Sequence, residues 1–266
     1  MSFVELKYLT SSEARAVGQD RGAVGLIPIG ALEQHGPHLP LVTDSALAEV
    51  LAAEVAARCR EPIVVTPTIM AGLSEHHADF PGTVTLGPVT LGAVIQAYIT
   101  ALKRMGLTRI GLFSFHGGNF RFLGKYAAGC SSIWPGMQVA AYTDFRRFLH
   151  VMFQAGVKAG LKLASTDSHA GAIETSLALH VMGEHRVRAF EAVTGYTAGE
   201  AGWLEAIETK GVQAISPSGV FGTPGGANAG AGKVILNALS EEVAVWLKDA
   251  FKLGEFNSSA PLHERS

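Results

Sequence analysis

Short apolar runs and amphipathic stretches alternate along most of the chain. Residues 22–29 are short, apolar and followed by Gly30, which predicts a strand buried on both faces. A loop then runs to Asp44 or Ser45, either of which can cap the next helix. In that helix, predicted to reach about Arg58, Leu47, Val50, Leu51 and Val55 share one face, with Glu49 and Glu54 outside it. Residues 63–66, 109–115 and 138–142 read as further strands. Helices are expected before Met105, after Asn119, up to about Gly160, from Ala172 to Met182 and from Lys233 to about Lys252. The stretches 70–88 and 216–232, rich in glycine and proline, read as loops. Strands separated by helices imply parallel crossovers and a layered α/β fold. No internal repeat is visible and no linker is long or polar enough to divide the chain, so residues 1–266 are expected to form one domain. In open parallel sheets ligands bind beyond the carboxyl ends of the strands, where the loops after Ile29 and Phe115 both emerge.

Composition narrows the classes of function. Of 266 residues, 48% are hydrophobic and 17% charged, enough apolar surface to offset the entropy of ordering. So little charged cover predicts surface buried between subunits of a homo-oligomer. A formal net charge of −2 offers no basic footprint for nucleic acid. No apolar run approaches the roughly 18 residues that span a bilayer, so no membrane partner is expected. Residues 1–11 lack the basic start and apolar stretch of a signal peptide, which predicts a cytoplasmic protein. Cys59 and Cys130 form no paired motif and read as two reduced, partly buried thiols.

Three motifs carry candidate chemistry. In Gly30-Ala31-Leu32-Glu33-Gln34-His35-Gly36-Pro37-His38-Leu39-Pro40, Glu33 and His35 are two apart, so in extended chain they point the same way and can approach one ion together. The two Gly/Leu-Pro steps turn the chain and let Asp44 return as a third ligand; imidazole with carboxylate suits zinc, manganese or iron. A polar surface loop is the plainer reading of the same residues. His116-Gly117-Gly118-Asn119 ends an apolar strand; His116 can ligate, the glycines admit a close backbone, and Asn119 can cap the following helix. A serine-hydrolase oxyanion loop would need a G-x-S-x-G elbow, which the chain lacks. In Asp167-Ser168-His169-Ala170-Gly171-Ala172-Ile173-Glu174, Glu174 opens a helix that is apolar nearly all round. A buried carboxylate there needs a metal or a partner such as His169. His76 and His77 lie in a further block, Glu75-His76-His77-Ala78-Asp79-Phe80-Pro81-Gly82-Thr83, which fits a substrate-facing loop and a solvated loop about equally.

With these blocks, and Ser216-Pro217-Ser218-Gly219-Val220 after them, the sequence resembles the creatininase family from about Val24 to Gly232. The resemblance implies a three-layer α/β fold with a mostly parallel central sheet flanked by helices. It also implies a metal-dependent amidohydrolase that cleaves a non-peptide C–N bond of a lactam, formamide or small peptide-like amide, using two divalent ions and a metal-activated water. Glu33, His35 and His116 match family ligands, Asp44 matches the carboxylate that bridges the ions, and His169 matches the residue that transfers protons. Creatinine-cleaving members carry a glutamate where this chain has Gly118 and an aromatic residue where it has Gly117; they also have tryptophans around the site, whereas Trp134, Trp203 and Trp246 lie elsewhere. The HGGN form is closer to the deformylase and peptidase branch. Glu174 is the expected replacement ligand, with Glu75 as its rival. His38, Glu75 and His76 are candidate substrate contacts, as are Gly117, Gly118, Asn119 and Tyr142. Family members form homo-oligomers, often hexamers. The absent glutamate leaves a second class open: a metal-binding scaffold or regulatory protein without catalysis.

Overall fold

The computed structural model of the chain describes residues 3–20 and 22–255. Its strands are β1 (Phe3–Glu5), β2 (Val24–Ile29), β3 (Ile63–Val65), β4 (Arg109–Ser114) and β5 (Gln138–Ala141). They form a parallel sheet in the order β1-β3-β2-β4-β5. β2 lies at the centre, with Gly25 opposite both Val64 and Ile110. It is buried at every position, as its unbroken apolar run requires.

Side chains alternate between the two faces of the sheet. Val24, Leu26, Phe113 and Phe115 face one core, which is closed by α2 (Thr43–Arg58), α5 (Phe145–Lys158), α6 (Ala172–Met182) and α9 (Ala229–Phe251). Ile27, Ile29, Ile110 and Leu112 face the other, under α3 (Pro88–Met105) and α4 (Phe120–Ile133), with α1 (Ser11–Gly18) packed on α3. These are the three layers expected. From β2 the chain runs through α2 to β3 on one side; from β3 it crosses through α3 to β4 on the other. Right-handed crossovers in opposite directions put the helices on opposite faces and leave a crevice beyond the carboxyl ends of β2 and β4.

Several boundaries differ from expectation. β2 starts at Val24 rather than residue 22, and α9 starts at Ala229, where the Asn228 side chain accepts from the Ala231 N–H. Neither Asp44 nor Ser45 caps α2. Both lie inside its first turn, because the Pro40 turn already starts the helix there: the Thr43 N–H and hydroxyl both donate to the Pro40 carbonyl. Asn119 does occupy the N-cap position of α4, but its side chain makes no capping bond. Its carboxamide accepts from the Leu73 N–H and donates to the Gly30 carbonyl, lacing the His116 loop to the chain after β2 and to the 70–88 loop. Among the described residues no helix is long and apolar enough to cross a membrane.

Candidate metal centre

The crevice holds the three motifs together. Glu33 and His35 come from the loop after β2, Asp44 from the first turn of α2, His116 from the end of β4, and His169 and Glu174 from the entry and first turn of α6. Ligand atoms of Glu33, His35 and Asp44 lie within 4.8 Å of one another, as do those of His35, His169 and Glu174. Glu33 is fully buried, Asp44 is 2% exposed and Glu174 5%. Their ion-pair partners within 4 Å are all histidines. Neither oxygen of Glu33 has a well-directed hydrogen bond, and Asp44 Oδ2 has none. Buried anionic oxygens without donors carry a large desolvation cost unless a cation offsets it.

Histidine orientation makes the same demand. His116 Nε2 lies 3.0 Å from the Leu73 carbonyl, which can only accept, so Nε2 carries the proton. Nδ1 of the neutral ring is then a bare lone pair, 3.1 Å from Glu33 Oε1 and 3.4 Å from Asp44 Oδ2. His35 repeats the arrangement with its nitrogens exchanged. Nδ1 donates to the Glu33 carbonyl at 3.1 Å, and Nε2 faces Asp44 Oδ1 at 3.3 Å and Glu174 Oε2 at 3.7 Å. Lone pairs aimed at carboxylates repel unless a proton or a metal ion lies between them, and a ring N–H anchored on a backbone carbonyl is the usual support of a metal-bound histidine.

Electrostatics agree. Burial pushes the Glu33 carboxyl up, and raises that of Glu174 to about 7. Burial also opposes charge on His35, but Asp44 and then Glu174 outweigh it and raise the imidazole to about 10. His116 is likewise held well above its usual value, against burial, by Glu33 and Asp44. Burial disfavours charge on Asp44 too, yet His35 and His116 hold it well below the usual carboxylate range. Protons on His35 and His116 thus stand in for cationic charge that the carboxylates require. The donor set, imidazole nitrogens with carboxylate oxygens, fits zinc or manganese.

The cluster forms the base of a cleft of about 790 Å³. Phe115, Phe145, Phe148 and Met152 give the cleft apolar lining, to which α7 (Trp203–Lys210) adds Leu204 and Ile207. Of the expected substrate contacts, Glu75, His76, Gly117 and Gly118 line this cleft. Glu75 is exposed at its rim and outside the carboxylate cluster. His38, Asn119 and Tyr142 do not line it, because each is committed internally. His38 Nε2 bonds the Thr175 hydroxyl at 2.8 Å, Asn119 ties the loops described above, and the Tyr142 hydroxyl reaches Glu242 at 3.3 Å. The alternative His169–Glu174 pair is not a hydrogen bond, since Nδ1 and Oε2 are 3.9 Å apart. Glu174 Oε2 accepts instead from the Ala170 N–H, at 2.6 Å.

His77 was not among the expected site residues. It is 3% exposed, with Nε2 3.4 Å from Glu33 Oε1, and forms a third potential ligand group with Glu33 and His169. The solvated-loop reading of its segment fails here: residues 75–77 form a turn that buries His77 against the cluster. The only signal available was the histidine pair three residues before Phe80-Pro81-Gly82-Thr83, which spacing alone cannot distinguish from a surface loop.

Comparison with known proteins agrees with this architecture. Residues 7–247 match the family model for creatininase, described as creatinine amidohydrolase. A mycofactocin precursor peptide peptidase from Mycolicibacterium smegmatis is 32% identical over 235 residues, covering 84% of this chain and 85% of that protein. Creatinine amidohydrolase of Pseudomonas putida is 32% identical over 179 residues, 63% of this chain and 66% of that protein. A solved creatinine amidohydrolase superposes with a TM-score of 0.74 at 23% identity, covering 94% of this chain and 99% of its own. Related creatininase structures include a manganese form and a zinc–zinc form of a mutant, with TM-scores of 0.72 and 0.73. From the five sequence blocks, the layered parallel sheet and the match over nearly its whole length, the chain belongs to the creatininase family of amidohydrolases.

Proposed function

We propose that this chain is a metal-dependent hydrolase of a C–N amide bond, in which Glu33, His35, Asp44, His116 and Glu174 would hold two divalent ions, zinc or manganese. The observation that carries the reading is the pair of inward imidazole nitrogens on His35 and His116 facing buried carboxylates. Divalent ions bound there acidify water and polarise an amide carbonyl. The chain's own residues supply the rest. His169 Nε2 is anchored on the Gln34 carbonyl at 2.9 Å, which leaves Nδ1 free to take a proton near Glu33 and Glu174 and pass it to the leaving nitrogen. Phe115, Phe145 and Phe148 add apolar lining beside the cluster, and water displaced from that lining by a bound substrate would strengthen charge interactions there.

The cleft has room for more than a compact ring, and relatives named as peptide peptidases support a peptide-like amide beside lactams and formamides. The test is turnover across lactams, formamides and short peptides before and after chelation. Hydrolysis restored by zinc or manganese is expected; hydrolysis that survives complete metal removal defeats the reading. A homo-oligomer, hexameric by family resemblance, is part of the same proposal, and light scattering showing a monomer at micromolar concentration would remove it.

A further inference from the structure

Gln34 lies between two of the proposed ligands, and the chemistry above gives its side chain no task. That side chain is 5% exposed and closely surrounded. The Gly36 N–H donates to Oε1 at 2.9 Å, and Nε2 donates to the Gly219 carbonyl at 3.1 Å. Both partners are backbone groups of fixed polarity, so the orientation of the amide follows from them. Gly219 has φ +76, and a Cβ there would stand 1.9 Å from Oε1, so only glycine admits the amide.

One Nε2 hydrogen remains, with two imidazole nitrogens in reach: His77 Nδ1 at 2.8 Å and His169 Nε2 at 3.0 Å. His169 Nε2 also lies 2.9 Å from the Gln34 backbone carbonyl, an acceptor only. That nitrogen therefore carries a proton and cannot accept another. The remaining hydrogen goes to His77 Nδ1, which makes Nδ1 the acceptor and puts the proton of the neutral ring on Nε2. That N–H faces Glu33 Oε1, 3.4 Å away.

We propose that Gln34 is a positioning residue that fixes the His77 tautomer, with the Nε2 proton turned toward Glu33, and so keeps His77 out of the ligand set, although it lies within ligand reach. His35, His116 and His169 are anchored through a ring N–H on a backbone carbonyl and turn the other ring nitrogen inward. His77 is the exception because its outer partner is an amide that donates. The inference rests on the proposed metal site, but its central claim concerns the proton on one ring nitrogen and can be read without turnover.

The experiment is ¹⁵N spectroscopy of histidine-labelled full-length protein, metal-free and zinc-loaded, alongside kinetics. In the native chain His77 should show protonated Nε2 and bare Nδ1 in both states, while zinc shifts the inward nitrogens of His35 and His116. Gln34→Glu supplies a carboxylate that accepts from Nδ1. His77 should then exchange tautomers and its Nε2 should acquire a zinc-bound shift, while His169, held by a backbone carbonyl, keeps its own. Loss of the Nε2 proton facing Glu33 should lower kcat about tenfold with KM changed less than about twofold. Gln34→Met, apolar and of similar length, should lower kcat likewise without fixing the opposite tautomer. A bare or zinc-bound Nε2 on native His77 overturns the proposal, and so does an unchanged His77 tautomer in Gln34→Glu. Absence of both metal binding and amide hydrolysis in the native chain would instead sink the proposed function, leaving the metal-free tautomer as the separate test of Gln34.

Discussion

Gly118 occupies the position where the family resemblance implies a glutamate in creatinine-cleaving members, and the surrounding atoms leave no room for a side chain. A Cβ there would lie 2.4 Å from the Leu73 carbonyl oxygen, 2.5 Å from His116 Nε2 and 2.9 Å from His76 Cε1. The Leu73 carbonyl is also the acceptor that orients His116, so a side chain at this position disturbs a proposed ligand. Gly118→Glu is therefore expected to lose metal rather than gain a ligand, and to destabilise the fold by about 1–3 kcal/mol through overpacking. Metal analysis with thermal melts checks this; a variant that binds its ions more tightly than the parent refutes it. Glu174 reaches the cluster from the first turn of α6, where the helix dipole favours negative charge. Glu174→Gln should leave the chain folded but release one ion in preference to the other, with activity falling in step. Equal occupancy of both sites by elemental analysis would count against Glu174 as a ligand.

At the scale of elements, the site depends on how α2 is docked. Ser45, next to Asp44, places its hydroxyl 2.9 Å from both the Ala31 and the Met70 carbonyl, joining the start of α2 to the loops after β2 and β3. Ser45→Ala removes that link without touching a proposed ligand. It should cost about 1–2 kcal/mol and weaken metal retention in chelator competition. Thr10→Ala is the matching control. It breaks the capping box of α1, with Thr10 and Glu13 bonded reciprocally, and should cost about 1 kcal/mol with metal retention unchanged. Equal loss of metal in both variants would show that general loosening, not α2 docking, is responsible. Long apolar elements were legible in the sequence for physical reasons. β2 is buried on both faces, and α6 could be bounded at Ala172 and Met182 because the chain is apolar between two glycines. The omitted elements, β1, α1, α7 and the one-turn helix Val212–Ile215, bury little. α7 has no buried residue, and α1 is marked mainly by Thr10-Ser11-Ser12-Glu13, a capping signature that hydrophobic periodicity does not register. The proposed ligands were legible because each stands in a local motif. His77 and Gln34 were not, since their roles are set by partners 43 residues apart along the chain.

For the whole molecule, the cluster is where separately anchored parts meet. The loops after β2, β3 and β4 and the first turns of α2 and α6 each bring one or two polar groups to it. Glu33, Asp44 and Glu174 are buried there together, so in metal-free protein their mutual repulsion opposes folding, and protons on His35 and His116 offset it in part. Ions that bind the folded chain and not the unfolded one reverse the balance. At about a thousandfold excess over Kd they add about 4 kcal/mol, on the order of 10 °C in Tm for a chain of this size. Chelation of the full-length protein should lower Tm by that order, and zinc or manganese should restore it. A variant that changes only charge sharpens the test. Glu33→Gln keeps the shape of the side chain and removes one buried negative charge, from a carboxyl that burial already pushes toward its neutral form. Metal-free, the variant should melt at or slightly above the metal-free parent, because a desolvated charge has been removed without leaving a cavity. With metal, it should melt below the loaded parent, because a ligand has been lost. The two differences therefore carry opposite signs. Scanning calorimetry of parent and variant, each with and without metal, reads both. A decrease of equal size in the two states would mean that Glu33 supports the fold through packing alone and that no ion is held at its carboxylate.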